Sequence, residues 1–264
     1  MTKGINQGII ESFHNGPIRS ASIMAVGRAY DHAVALLKEN PKLDTGIHLC
    51  LTEEKPVLEK EEIATLTGKG GYFLQSHKKF LLHYFMGKIG LGSVRRELDA
   101  QIRKVLESGI NITHIDSHGH IHVLPGILRI VAELAKRYRI PFIRYPRERL
   151  KTLDVKFSRR MQSLILNILC SYSKQRFEDY DIAFFGFFHS GRISRKSLSG
   201  ILKAVNNGIS EIVCHPGICD RELEHYRHWE YQWEEELNAL TSQDISKIIN
   251  GLNIEVVSFS DILC

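Results

Sequence analysis

Cysteine is scarce in this chain and has no pairing pattern. The 264 residues contain five cysteines, an odd number, and none of them forms a Cys-x-x-Cys pair. This spacing argues against a disulfide-stapled secreted domain and against a cysteine-based zinc site. Cys214 falls within an apolar run of strand length, where a thiol packs as a small apolar side chain. We therefore expect reduced thiols and a cytoplasmic protein.

Long apolar runs and massed charge are also missing. No run reaches the roughly 18 apolar residues of a membrane-spanning helix, and residues 1–16 are too polar for a signal peptide. The formal net charge of +5 is modest, and the lysines and arginines are scattered along the chain. The sequence therefore predicts no transmembrane segment and no nucleic-acid partner.

Apolar runs of strand length alternate with segments of helical period. The predicted strands are residues 20–26, 45–51, 112–116, 141–145, 181–187, 211–215 and 254–259. The predicted helices are residues 5–14, 30–39, 92–108, 126–138, 157–177, 195–206, 229–240 and 243–250. Each strand is apolar at almost every position, as in a parallel sheet covered on both faces. This alternation predicts an α/β fold, a TIM-barrel-like (β/α) barrel built as one domain over residues 1–264.

The predicted barrel is one strand short. Seven strands are visible where a closed barrel of this type has eight, and the sequence opens on a helix. We therefore expect that the first strand of the fold is missing at the N-terminus. Residues 52–75 are too long for a simple connection and predict an excursion on the substrate side, or a partly disordered loop.

Four of the thirteen histidines lie within one short segment, THIDSHGHIHVLPG, residues 113–126. They are His114, His118, His120 and His122. His114 lies within the predicted strand and is expected in the core or at an interface. His120 and His122 are expected to contact substrate, to support a neighbouring ligand, or to be solvated. A string of this composition has no packing rationale, which favours a functional site.

Polar side chains lie at or near the carboxyl ends of four of the predicted strands. They are His48, Asp116 with His118, Arg144 and His215. Because function in parallel α/β folds lies at the carboxyl ends of the strands, we expect these residues to group there. Taken by itself, His48 is equally consistent with a structural residue held by hydrogen bonds.

Such a group suits hydrolysis assisted by a divalent metal. Neutral imidazole is a good ligand for zinc and other first-row metals, and a catalytic ion takes about three protein ligands. His48 and His118 would supply two, with an aspartate or another histidine as the third. His215, on a different strand, would act as the acid that protonates the leaving group.

Five motifs in order carry a resemblance to a known family. They are GINQGIIESFHNG, GIHLCLT, THIDSHGHIHVLP, PFIRYPRE and EIVCHPG. The set resembles the YdjC-like carbohydrate deacetylases, which include chito-oligosaccharide deacetylases, and FFGFFHSGRIS resembles the hopanoid-biosynthesis-associated branch. The resemblance implies a (β/α) barrel that removes N-acetyl groups from sugars with a divalent metal. It places the metal on His48 and His118 and the catalytic-side histidine at His215.

One departure from the family concerns the N-terminus. Family members begin with a strand ending in a NADDFG-type motif, in which one aspartate binds the metal and its neighbour is the proposed base. Neither aspartate stands in this sequence. Either the sequence is truncated or the protein has lost a ligand; the intact SHGHIH and CHPG strings favour truncation. Activity is expected to be weak in this form.

The expected function is metal-dependent removal of the N-acetyl group from an acetylated amino sugar. The alternatives are a non-catalytic carbohydrate-binding barrel and another metal-dependent amide hydrolase. Asp116, His120, His122 and Arg144 are expected to bind substrate or to support the ligands. The expected cofactor is Mg²⁺ or Zn²⁺, without a decision between them. The expected partner is a small acetylated sugar or a glycolipid, and an exposed barrel seam would favour a homo-oligomer.

Overall fold

A computed structural model of the chain describes residues 2–148, 157–177, 182–205 and 207–263. The α-helices are α1 (Lys3–Asn15), α2 (Tyr30–Glu39), α3 (His77–Phe85), α4 (Leu91–Glu107), α5 (Pro125–Tyr138), α6 (Phe157–Phe177), α7 (Arg195–Ala204), α8 (Trp233–Leu240) and α9 (Gln243–Gly251). Short 3₁₀ segments cover Lys69–Gly71, His118–Val123, Arg221–Trp229 and Asp261–Leu263. Residues 181 and 206, the first of a predicted strand and the last of a predicted helix, lie outside the described residues.

The strands form parallel pairs in two sheets. They are β1 (Ser20–Ile23), β2 (Asp44–Leu49), β3 (His114–Ser117), β4 (Phe142–Ile143), β5 (Ile182–Phe185) and β6 (Ile209–Ile212). One sheet has the order β1-β2-β3-β4 and the other pairs β5 with β6. The pairs β2–β3, β3–β4 and β5–β6 are parallel. An α/β fold with parallel sheets is therefore confirmed, whereas closure into a barrel stays a prediction.

The predicted count of seven strands is not supported. Residues 254–259 do not form a strand, although their sequence IEVVSF is typical of one. Ile254 and Val256 pack against an apolar cluster around α7 and α9, while Val257 is exposed. The alternation of buried and exposed side chains is present, but no strand ladder forms there. The predicted strand 211–215 lies earlier, at Ile209–Ile212, so His215 follows its end.

Polar side chains at the helix starts explain several of the boundaries. Thr2 accepts a hydrogen bond from the backbone N–H of Ile5 at the start of α1. Ser194 and Ser242 make the equivalent contacts at α7 and α9. These caps satisfy backbone donors that the first helical turn leaves unpaired. The predicted helix 229–240 is only half right, because its beginning is the end of a 3₁₀ segment and α8 starts at Trp233.

The chain divides into two compact units. The first comprises Met1–Ala21, Glu39–Leu43 and Tyr145–Cys264, and the second comprises Ser22–Lys38 and Asp44–Arg144. The first unit contains an apolar cluster built on α7, α8 and α9. In the second unit β2 contacts α4 and β4 contacts α5, and Ile47 and Ile115 are fully buried.

Among the described residues, none of the helices combines the length and the apolar character that crossing a bilayer requires.

Candidate functional site

The second unit brings His48 and Asp116 side by side. Strands β2 and β3 run parallel, and the register places His48 opposite Asp116. His48 Nδ1 donates a hydrogen bond to Asp116 Oδ1 over 2.9 Å. The other carboxylate oxygen of Asp116 accepts a hydrogen bond from Arg144, which directly follows β4. Three adjacent strands thus contribute one imidazole, one carboxylate and one guanidinium to the same place.

The charge of Asp116 selects the tautomer of His48. Burial raises the pKa of Asp116, but the nearby Arg144 and His48 outweigh it and hold that pKa well below its usual range. Asp116 is therefore ionised and accepts hydrogen bonds only. The neutral form of His48 therefore carries its proton on Nδ1 and has its lone pair on Nε2. A carboxylate that fixes a histidine in this way is a common support for a metal ligand.

His118 lies next to His48. It is the first residue after β3, and its ring centroid is 5.8 Å from that of His48. Burial lowers the pKa of His118 to about 4, so the ring is neutral at neutral pH. A neutral imidazole offers a lone pair to a metal, whereas a protonated one does not.

Glu53 approaches His118 from the loop after β2. Its Oε2 lies 3.9 Å from His118 Nε2. Its backbone is left-handed, with φ at +70°, and its N–H donates to the carbonyl oxygen of Leu74. A non-glycine residue in this conformation is strained and is often found at a functional site. Burial raises the pKa of Glu53, but His118 and His77 outweigh it and hold that pKa below its usual range.

His77 closes the group from the first position of α3. Ser76 caps this helix by accepting a hydrogen bond from the N–H of Lys79. His77 Nδ1 lies 3.5 Å from Glu53 Oε1, and the His77 and His118 ring centroids are 4.6 Å apart. His77 Nε2 is buried and has no hydrogen-bond partner. The ring packs against the backbone of Gly119.

Glu53, His77 and His118 fit a metal ion. Each offers one ligand atom, and these three atoms lie within 4.8 Å of one another. Two separations that involve the Glu53 carboxylate, 3.5 Å from Oε1 to His77 Nδ1 and 3.9 Å from Oε2 to His118 Nε2, are at or beyond the limit of a hydrogen bond. They are close to the roughly 3.3 Å that separates two ligands bound tetrahedrally to one ion at about 2.0 Å. Two imidazoles and a carboxylate suit zinc and other first-row metals.

The remaining histidines of residues 113–126 have mainly structural contacts. His122 is buried: its Nε2–H donates to the Arg144 carbonyl oxygen over 2.7 Å, and its Nδ1 accepts from the Ser117 hydroxyl over 2.6 Å. Burial lowers the pKa of His122 to about 4. His122 thus ties the end of β3 to Arg144. His120 has a left-handed backbone with φ at +55°. Burial lowers the pKa of His120 well below its usual range.

His114 belongs to the core. Its Nε2 lies 3.1 Å from the hydroxyl of Ser22 and its Nδ1 lies 2.9 Å from that of Thr113. A side-chain carbon at Gly46 would come within 2.3 Å of the ring, so only glycine leaves room for it.

His215 lies in the first unit, after β6. Its ring centroid is 5.0 Å from that of Tyr231. Its backbone N–H donates to the carboxylate of Glu236, which is fully buried and also accepts from the N–H of Ile193. His215 Nδ1 lies 4.0 Å from the same carboxylate. Burial raises the pKa of Glu236 to about 7. Glu236 thus holds the backbone that carries His215.

Comparison with known proteins identifies the family. Residues 1–251 match the model of a family described as YdjC-like protein. The chain belongs to the YdjC-like family. A protein named carbohydrate deacetylase from Clostridium beijerinckii is 34% identical over 99% of this chain and 96% of its own length. One of the same name from Brevibacillus brevis is 30% identical over 99% of this chain and 95% of its own length.

A solved structure shares the fold. A crystal structure from Enterococcus faecalis, described as a proposed cellobiose-phosphate cleavage protein, matches with a TM-score of 0.74 and 26% identity. The match covers 99% of this chain and 94% of that chain. The family resemblance drawn from the five motifs is therefore confirmed.

The structure brings some of the predicted site residues together and places further residues beside them. His48, Asp116, His118 and Arg144 lie together in the second unit, and His215 belongs to the first. The roles assigned to them stay predictions. Sequence reasoning missed Glu53, His77 and Glu236. The excursion 52–75 gave a signal for Glu53, because a long loop following a strand end is a frequent source of site residues.

Proposed function

We propose that this YdjC-like protein is a metal-dependent carbohydrate deacetylase that removes the N-acetyl group from an acetylated amino sugar. The names of its relatives support the reaction class. The observation that carries the proposal is the cluster of Glu53, His77 and His118, whose ligand atoms are spaced for one divalent ion. His48, oriented by Asp116, is the second histidine ligand expected from the sequence and lies beside His118.

The ion would be held at His118. This residue belongs both to the pair His48 and His118 expected from the sequence and to the cluster of Glu53, His77 and His118. Glu53 and His77 complete the set in the geometry described above, and His48 faces His118 from the neighbouring strand. When bound, a divalent ion polarises the acetamide carbonyl and lowers the pKa of a water molecule. Asp116 keeps the proton of His48 on Nδ1, and Arg144 keeps Asp116 ionised. His122 stays neutral and holds the Arg144 backbone in place.

His215 has the role of proton donor in this proposal. Its imidazole would hold a proton and give it to the amine nitrogen as the C–N bond breaks. Glu236 positions His215 by accepting its backbone N–H. The base that the family resemblance implies is an aspartate of the NADDFG-type motif, which this sequence does not contain. A version carrying an added strand and Asp-Asp-Phe-Gly should then release acetate faster than the present sequence.

Acetate release tests the proposal. The protein is incubated with N-acetylated chito-oligosaccharides before and after treatment with EDTA, and then with Mg²⁺, Mn²⁺ or Zn²⁺ added back. We expect activity that the chelator removes and one ion restores, and that His118→Ala abolishes. His14→Ala, an exposed histidine of α1, is the control and should keep full activity. Glycan binding that the chelator leaves unchanged, without acetate release from either N-terminal form, would instead favour a non-catalytic binding protein.

A further inference from the structure

Helix α3 has two faces of different character. His77, Phe80 and Tyr84 follow a spacing of three and four residues and point inward. Phe80 is fully buried, and His77 and Tyr84 are partly buried. The Tyr84 hydroxyl accepts a hydrogen bond from the N–H of Gly126. This face anchors the helix to the second unit and presents His77 to Glu53.

The opposite face is apolar and exposed. Leu82 is 59% exposed, Phe85 72% and Met86 54%. Lys78 and Lys79 lie on the same side, one helical turn before Leu82, and are also exposed. We call these five residues the α3 outer face. A phenylalanine, a leucine and a methionine grouped in water are unfavourable, and such a group marks an interaction surface.

The α3 outer face continues into the next segment of the chain. Lys88 is exposed and Leu91 is 43% exposed. Leu91 and the Tyr84 hydroxyl both lie within 4 Å of the place where a Cβ of Gly126 would be, so the end of α3 and the start of α4 are neighbours. Both neighbouring segments therefore carry exposed apolar side chains.

The charged residues along this part of the sequence have one sign. Residues 63–96 contain four lysines, two arginines and no acidic residue. The lysines of the α3 outer face therefore have no acidic neighbour along this part of the sequence. A helix with apolar side chains flanked by lysines is typical of a segment that lies in the interface of an anionic membrane.

We propose that the α3 outer face docks the protein onto an anionic lipid surface. Leu82, Phe85 and Met86 enter the boundary between headgroups and acyl chains, and Lys78, Lys79 and Lys88 meet the lipid phosphates. A nucleic acid would meet the lysines but gives no apolar environment to Phe85. A second copy of the chain would cover Phe85 but would bring like-charged lysines together. The lipid surface satisfies both the apolar and the charged residues.

Vesicle co-sedimentation of the full chain tests this docking, and it does not depend on the proposed enzymatic function. Vesicles of phosphatidylcholine alone are compared with vesicles that also contain phosphatidylglycerol. We expect binding to the anionic vesicles only, and weaker binding as the salt rises above about 0.1 M, where surface charges are screened. Because this measurement uses the unaltered protein, its outcome does not depend on whether any variant folds.

Variants locate the contact. Leu82→Ser with Phe85→Ser, and separately Lys78→Gln with Lys79→Gln, should each lower the partition coefficient by about tenfold or more. The matched control is Leu164→Ser with Ile165→Ser on α6, where the two side chains are 51% and 52% exposed. The control should bind as the unaltered protein does.

Three results would overturn the proposal. The first is that anionic vesicles do not retain the protein at low salt. The second is that the α6 control loses binding as much as the α3 variants do. The third is a dimer that forms with rising concentration and that Phe85→Ser abolishes, without vesicle binding, which would assign the face to a second copy.

Discussion

The ring of His77 packs so closely against Gly119 that a side chain at position 119 would strike it. A Cβ atom there would lie 2.1 Å from His77 Nε2, and Gly119 has φ at +62°. Both the backbone conformation and the space therefore require glycine. This contact sets the position of His77 relative to His118, the neighbour of Gly119 in the chain.

Gly119→Ala should displace His77 and weaken metal binding. The left-handed backbone costs an alanine about 1 kcal/mol, and the clash adds to it. The free energy of unfolding is measured by urea denaturation, and the affinity for Zn²⁺ by calorimetry. The control is Gly109→Ala, which has φ at +81° and no atom within 4 Å of its Cβ position. Gly109→Ala should lower the free energy of unfolding only through the cost of the left-handed backbone, and it should keep its affinity for Zn²⁺. Equal metal affinity in the two variants would contradict the prediction.

Glu53→Gln and His77→Ala should each lower metal affinity by about tenfold or more, because each removes or weakens a ligand. Calorimetric titration with Zn²⁺ measures the effect. His83→Ala, in the same helix and partly buried, is the matched control and should bind as the unaltered protein does. If affinity survives both changes and falls only in His48→Ala and His118→Ala, Glu53 and His77 are hydrogen-bonding neighbours and not ligands.

Asp116→Asn should destabilise the protein by about 3 kcal/mol, because it leaves the Arg144 guanidinium without its buried counter-charge. Arg144→Gln should have a similar cost for the same reason. The double variant should lose less than the sum of the two, since it leaves no unpaired charge. Urea denaturation of the three variants measures this. Losses that add up in the double variant would show that the Asp116–Arg144 pair does not act as a unit.

Asp116→Asn should also weaken metal binding, by roughly 10- to 100-fold, because an amide no longer fixes the proton on His48 Nδ1. Glu133→Gln is the control, since this carboxylate pairs with Arg95 and Arg129 at the surface. It should change neither metal affinity nor stability by more than a few tenths of a kcal/mol.

Glu236 should make the protein less stable as the pH rises. Burial raises its pKa from 4.5 to about 7, so the folded state holds the proton more tightly than the unfolded state. This stabilisation is complete below pH 4.5 and disappears as the pH approaches 7, a change of about 3 kcal/mol. Glu236→Gln should remove this slope in urea denaturation between these pH values. Glu235→Gln, exposed on the same helix, should keep it; a slope retained in Glu236→Gln would refute the assignment.

The central pair of the site could be predicted because it depends on regular structure. His48 and Asp116 lie near the ends of apolar runs that form adjacent parallel strands, and parallel strands bring their ends to one edge. The prediction of a strand over residues 254–259 was wrong because, among the described residues, this segment lacks such a neighbouring strand. Its pattern of apolar residues describes burial on one side, but a strand also needs a hydrogen-bonding neighbour, which periodicity does not reveal.

Glu53, His77 and Glu236 could not be found in this way. Glu53 depends on a left-handed residue inside a long loop, and no local pattern specifies its direction. His77 begins a helix of nine residues that was not predicted at all. Glu236 stands in the run WEEEL, which resembles a solvated helix face. Its burial follows from contacts with Ile193 and His215, which are distant in sequence.

The hydrogen bond from the Glu53 N–H to Leu74, next to the bridge between Thr52 and Leu74, ties the loop bearing Glu53 to the segment that leads into His77. An opening of this junction would carry a carboxylate and an imidazole away together. The rate at which the Glu53 amide hydrogen exchanges with deuterium therefore reports on the opening of this junction. It can be measured without any substrate. A metal ion that binds both Glu53 and His77 should slow this exchange, whereas the amides of helix α9, which belongs to the first unit, should exchange at an unchanged rate.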